Sequence, residues 1–174
     1  MKIVNHLPIP DLKLIEPNVY NDARGFFYES YNKKKFNELI GKDINFIQDN
    51  HSRSSKGVLR GLHYQLSPFE QGKLVRVVYG EVWDVAVDIR KNSNTFGKWV
   101  CELLSAENRR QLWIPEGFAH GFYVISNYAE LNYKVNKPYS KDHEKTIHWR
   151  NNDFGIEWPL IKGLDVLLSN KDDF

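Results

Sequence analysis

The sequence predicts an all-β fold, a sandwich or barrel, and two observations carry that prediction. Short runs of strand-forming residues recur along nearly the whole chain, separated by turn residues. One segment alone shows clear helical periodicity, which disfavours folds built on helical crossovers. With 174 residues, 41% of them apolar and 14% aromatic, the chain reads as one globular domain over residues 1–174.

Taken in order, residues 26–31 read as a strand. The helical segment covers residues 32–40, with Phe36, Leu39 and Ile40 on one face and Lys33 to Lys35 as a solvated flank. Strands follow at residues 45–50 and through the β-rich run 58–65. The plainest pair covers 73–79 and 81–89, where Trp83, Val85, Val87 and Ile89 alternate against Val82, Asp84, Ala86 and Asp88. Gly80 between them reads as the close of a hairpin. Further strands are expected at 99–105, 111–114, 120–126 and 130–136, with no repeat, low-complexity tract or linker between them.

Charge and cysteine usage exclude several classes. Lys and Arg number 24 against 22 Asp and Glu, and no block of one sign marks a nucleic-acid or membrane surface. A bound anion should therefore be small and met locally. Cys101 is the single cysteine, so no intrachain disulfide forms and the expected home is the reducing cytoplasm. Residues 1–17 carry Asn5, Pro8, Pro10 and Asp11 where an export signal needs an unbroken apolar run, and no stretch is long enough to span a bilayer.

The chemistry concentrates in Asn50-His51-Ser52 and Leu59-Arg60-Gly61-Leu62-His63-Tyr64-Gln65. A histidine titrates near neutral pH and can take a proton from carbon, and an arginine offers a planar fork for phosphate. Strict alternation puts Arg60 and His63 on opposite faces, but Gly61 permits a bulge that turns both toward one pocket. Gln48 and Asn50 share a strand face, as do Asp84 and Asp88; such faces line a polar cavity or meet solvent, and Asp88 reads as solvent-facing. His120, opening a strand, is by itself more often structural than catalytic. The usual metal site of a small β-barrel wants a second histidine where Gln65 stands, so no metal is expected. No glycine-flanked serine elbow supports a hydrolase, and Cys101 reads as packing.

Over essentially its whole length the sequence resembles the dTDP-4-dehydrorhamnose 3,5-epimerases. The segments carrying the likeness are Asp22-Ala23-Arg24-Gly25-Phe26-Phe27-Tyr28-Glu29, Gln48 to Ser52, Leu59 to Gln65, Gln71-Gly72-Lys73-Leu74-Val75-Arg76 and Ile114-Pro115-Glu116-Gly117-Phe118-Ala119-His120-Gly121-Phe122. Tyr133-Lys134, Tyr139, Glu144, Gly155 to Pro159 and Ser169-Asn170-Lys171-Asp172 extend it toward the C-terminus. The resemblance implies a cupin-type jelly-roll β-barrel with short peripheral helices, acting without cofactor on a dTDP-activated 4-keto-6-deoxy sugar.

By motif match His63 is the base and Asp172 the carboxylate that orients it, with Asp84 a weaker candidate for that support. Tyr133 matches the acid on the other face, and a plain core tyrosine is the alternative. Lys73 matches the group beside the ketone oxygen. Arg24 and Arg60 match diphosphate contacts, and Tyr139 an aromatic stacking on thymine. Glu29, Gln48, Asn50, His120, Glu144 and Lys171 match further substrate contacts. The resemblance also implies a homodimer with strand exchange near the N-terminus. The competing readings are an epimerase acting at one carbon, a noncatalytic sugar-nucleotide binder, and a metal-dependent oxygenase, the last opposed by Gln65.

Overall fold

The computed structural model describes residues 1–4 and 7–174; Asn5, read above against an export signal, lies outside the described residues. The described residues form β1 (Lys2–Val4), β2 (Lys13–Glu16), β3 (Val19–Asp22), β4 (Gly25–Tyr28), α1 (Lys33–Ile40), β5 (Gln48–Ser55), β6 (Leu59–Gln65), β7 (Lys73–Tyr79), β8 (Glu81–Asp88), β9 (Trp99–Ser105), β10 (Gln111–Ile114), β11 (Phe118–Val124), β12 (Tyr128–Val135) and β13 (Glu144–Thr146). A six-stranded sheet runs β1-β2-β10-β7-β12-β5, a five-stranded sheet β13-β6-β11-β8-β9, and β3 and β4 form a separate hairpin. This is the expected all-β jelly roll.

Alternation builds the core. Val75, Val77, Leu112 and Leu131 point from one large sheet into a shared cluster with Val82, Ala86, Phe118 and Phe122 from the other. Outside the six-stranded sheet, α1 lays Phe36 against Ile15, Leu74 and Trp113. Asn32 caps that helix, its side chain accepting from Lys35 N at 3.1 Å, and Gly41 ends it in the left-handed region at φ 73°. The outer face of the five-stranded sheet is covered too, with Val85 and Val87 packed under Phe154, Ile156 and Trp158.

That double cover corrects two expectations. Asp88 does not face water; it is fully buried and accepts from Arg90, Ser93 and Thr95, which close over the end of β8. Gly80 does not close a hairpin. β7 pairs with β10 and β12, β8 with β11 and β9, so the chain steps from one sheet to the other at Gly80, whose φ is 72°. A Cβ there would stand 2.2 Å from the Tyr128 carbonyl oxygen, so the crossing needs glycine. The strand expected at 45–50 instead spans Gln48–Ser55, and the one expected at 26–31 is Gly25–Tyr28.

Two features position the site. Gly61 adopts φ 126°, and the β6–β11 register shifts between the pairs His120–His63 and Phe122–Arg60, so the anticipated irregularity is present. The C-terminal segment returns as a strap across β6: Leu59 N donates to Leu167 O at 3.0 Å and Leu167 N to Gly57 O at 2.9 Å.

Candidate active site

A polar cavity of about 260 Å³ opens between the two large sheets, and Arg60, His63, Lys73, His120 and Tyr133 all line it. The bulge at Gly61 brings Arg60 and His63 into the same wall. His63 and His120 come from neighbouring strands of one sheet, Lys73 and Tyr133 from the facing sheet, so acid–base groups approach a bound molecule from two sides.

His63 Nε2 lies 2.6 Å from Oδ1 of Asp172, a carboxylate buried to 2% exposure and delivered by the C-terminal strap. Nε2–H donates to the carboxylate, which leaves Nδ1 with the free lone pair. Ser169 Oγ donates to the other oxygen, Oδ2, at 2.8 Å, fixing the carboxylate from behind. Burial holds the His63 pKa below its ordinary value; Asp172 pulls it up, while Lys171 and Lys73 add to the lowering. The imidazole is therefore neutral near pH 7, the form a base requires.

Asp84 has a different duty from the one weighed for it. Both its oxygens lie 3.0 Å from His120 Nε2, and the pair is buried, so Asp84 orients His120 and Asp172 alone serves His63. Tyr133 packs against the main core cluster and also lines the cavity, so packing in the core does not remove it from the site. Burial raises its phenol pKa, with Glu144 adding to the rise and Arg60 opposing it, and this keeps the proton on. Lys73 reaches across the cavity floor toward the His63 carbonyl oxygen, 3.5 Å away, and burial brings its ammonium pKa down to about 8.

At the mouth, Tyr139 stands in the expected turn with 55% exposure. It also has a partner the sequence did not disclose: its hydroxyl donates to Glu144 Oε2 at 3.0 Å, and Lys171 donates to Glu144 Oε1. Glu144, Lys171 and Tyr139 thus form one chain along the rim. Arg60 is braced by Ser54, which accepts from its Nε at 2.9 Å.

Four matched residues lie elsewhere. Gln48 and Asn50 sit on edge strand β5, where Gln48 donates to Asn50 at 2.8 Å and Asn50 stands in register with Tyr133, at the cavity's margin. Glu29 pairs with Lys35 at 2.8 Å. Arg24, on the exposed β3–β4 hairpin, pairs with Asp22. The sequence reading included Ser52 in its Asn50-His51-Ser52 stretch but gave it no role; its buried Oγ has no hydrogen-bond partner among the described residues, and Ser52 lines the cavity from β5. Alternation of Gln48, Asn50, Ser52 and Ser54 was the available signal. Gln65 is not a metal ligand in waiting, because both ends of its amide are bonded to backbone.

A jelly roll with a carboxylate-held imidazole facing a protonated phenol across a cavity fringed by cations is equipped to move protons on an anionic ligand, the equipment of an acid–base isomerase. Comparison with known proteins gives the particular group. The family model described as dTDP-4-dehydrorhamnose 3,5-epimerase matches residues 6–174, and the chain belongs to that family. It is 62% identical over 164 residues to the dTDP-4-dehydrorhamnose 3,5-epimerase of Shigella flexneri, covering 94% of this chain and 89% of that one. The Pseudomonas aeruginosa enzyme of the same name is 57% identical over 166 residues, covering 95% and 90%. Among solved structures, the dTDP-6-deoxy-D-glucose-3,5-epimerase of Legionella pneumophila Philadelphia 1 in complex with dTDP-4-keto-L-rhamnose superposes with a TM-score of 0.94 at 55% identity, covering 99% of this chain and 89% of that one.

Proposed function

We propose that the chain inverts both carbons flanking the ketone of dTDP-4-dehydro-6-deoxy-D-glucose, giving dTDP-4-dehydro-L-rhamnose. The observation that carries this reading is the single cavity in which Asp172-held His63, Tyr133 and Lys73 meet. The 4-keto group acidifies the hydrogens at its two neighbours. His63 Nδ1 accepts one of them, electron density moves to the ketone oxygen, and the Lys73 ammonium stabilises the resulting enolate. Tyr133 then delivers its proton to the opposite face of the same carbon. Each inversion leaves His63 protonated and Tyr133 ionised, so both must exchange with solvent before the next.

Arg60 suits the diphosphate through its fork, and Tyr139 suits the thymine. Arg24 and Glu29 enter the reading through a homodimer. The β3–β4 hairpin exposes Tyr20, Phe26 and Phe27 and pairs with no other strand among the described residues, which supports its docking on a second copy and presenting Arg24 to that copy's cavity. The half-buried single thiol supports a cytoplasmic setting, and among the described residues no helix is long and apolar enough to cross a membrane.

Incubation with the 4-keto sugar nucleotide in deuterated water tests the reading. Deuterium at both flanking carbons is expected, and it should persist after exhaustive chelation. Label at one carbon would make the protein a single epimerase; none would make it a binder.

A further inference from the structure

We propose that Gln65 is a positioning residue that fixes the nucleotide platform relative to the base. This rests on the reading of Tyr139 as the surface on which the nucleobase stacks, and goes beyond it by assigning what holds that surface in place. Gln65 and His63 stand two residues apart on β6, so they point to the same face and line the same cavity. Gln65 is 6% exposed, and both ends of its amide are bonded to two loops. Its Nε2 donates to Phe69 O at 2.6 Å and to Pro138 O at 3.1 Å, while its Oε1 accepts from Ser140 N at 2.7 Å.

The last two bonds bracket Tyr139. One amide holds the carbonyl before the tyrosine and the N–H after it, so the backbone on both sides of the ring is tied to the strand that carries the base. Glu144 stands in register with Gln65 on β13 and holds the ring's hydroxyl. Gln65 thus sets the backbone and Glu144 the ring. A tyrosine in an exposed turn would otherwise lose conformational freedom on binding, and prior fixing lowers that cost. No other side chain does this as well: methionine fills the space without bonds, and glutamate turns carboxylate oxygens toward two carbonyls.

The test is a double-substitution cycle with two readouts, calorimetric affinity for dTDP and steady-state kinetics. Gln65→Met should weaken dTDP binding and raise KM, each by roughly tenfold, with kcat changed by less than about twofold, because the base and its carboxylate are untouched. In a Tyr139→Ala background the same Gln65→Met change should have little further effect on affinity, since the ring it positions is gone. Gln65→Glu, which keeps the shape and the acceptor for Ser140, supplies a second variant should Gln65→Met not fold; the same split and the same loss of effect without Tyr139 are expected. Unchanged dTDP affinity in the folded Gln65 variants, or equal weakening with and without Tyr139, would overturn the proposal. If Tyr139→Ala alone leaves affinity intact, the stacking reading has failed; if it weakens affinity while the Gln65 variants do not, the brace alone has failed.

Discussion

Lys73 sets folding against function. In the proposed reaction its ammonium would stabilise an enolate with little water competing for it, and the same burial makes it costly to hold. Its pKa falls from 10.5 to about 8, so between those values the folded chain has released a proton that the unfolded chain still binds, and stability should rise with pH across that window. Lys73→Met keeps the stem and removes the charge; it should stabilise the protein by on the order of 1 to 3 kcal/mol in urea titrations at pH 7 while turnover collapses. The alkaline limb of activity should fall near pH 8, as the ammonium is lost. The acid limb reports His63, whose pKa is lowered by burial and further by Lys171. Lys171→Met removes a positive neighbour, so that limb should move to higher pH in a kcat/KM profile, whatever happens to its height. The residue types at these positions were legible in the sequence, and motif match paired His63 with Asp172 ahead of Asp84, as the structure has it; spacing alone did not. Nothing in the spacing of Asp84 and Asp172 says which carboxylate reaches His63, because the answer depends on a strap that joins β6 from over a hundred residues away.

At the scale of elements, glycine does the shaping. A Cβ on Gly61 would lie 2.5 Å from Gly121 Cα, and its φ of 126° is one that side-chain-bearing residues rarely adopt. Gly61→Ala should cost about 2 to 4 kcal/mol by urea unfolding, and the residual folded protein should lose turnover and dTDP affinity together because Arg60 and His63 are displaced as a unit. The bulge was legible because alternation alone conflicted with a shared pocket. The crossing at Gly80 was not, since a period of two marks a strand and says nothing of its partner. β5 was cut short for a related reason: Ser52 and Ser54 face a polar cavity and a guanidinium, so the strand lacks the apolar alternation by which half-buried strands are recognised. The short strands β1 and β13 offer too few residues for any period to show.

For the whole molecule, the hairpin and the strap have opposite roles. If the exposed rings of β3 and β4 dock on a second copy as proposed, sedimentation equilibrium should give a dimer. If Arg24 serves a neighbour's cavity, mixing inactive Arg24→Ala and His63→Ala proteins under conditions of subunit exchange should restore about a quarter of the wild-type activity, since half the dimers formed at random carry one complete site. No recovery would place Arg24 in its own subunit's chemistry, and an active Arg24→Ala protein would place it outside the chemistry. The strap, by contrast, is tied on by a few backbone bonds and the small cluster around Trp149, far less than the contacts that join the two large sheets. Segments so held open on their own, well before the rest of a protein unfolds. Each such opening carries Asp172 away and leaves His63 without its partner while the barrel stays intact. The folded chain should therefore spend part of its time idle, and in mild urea its activity should fade ahead of its far-ultraviolet circular dichroism, in proportion to how often that last stretch of chain lets go.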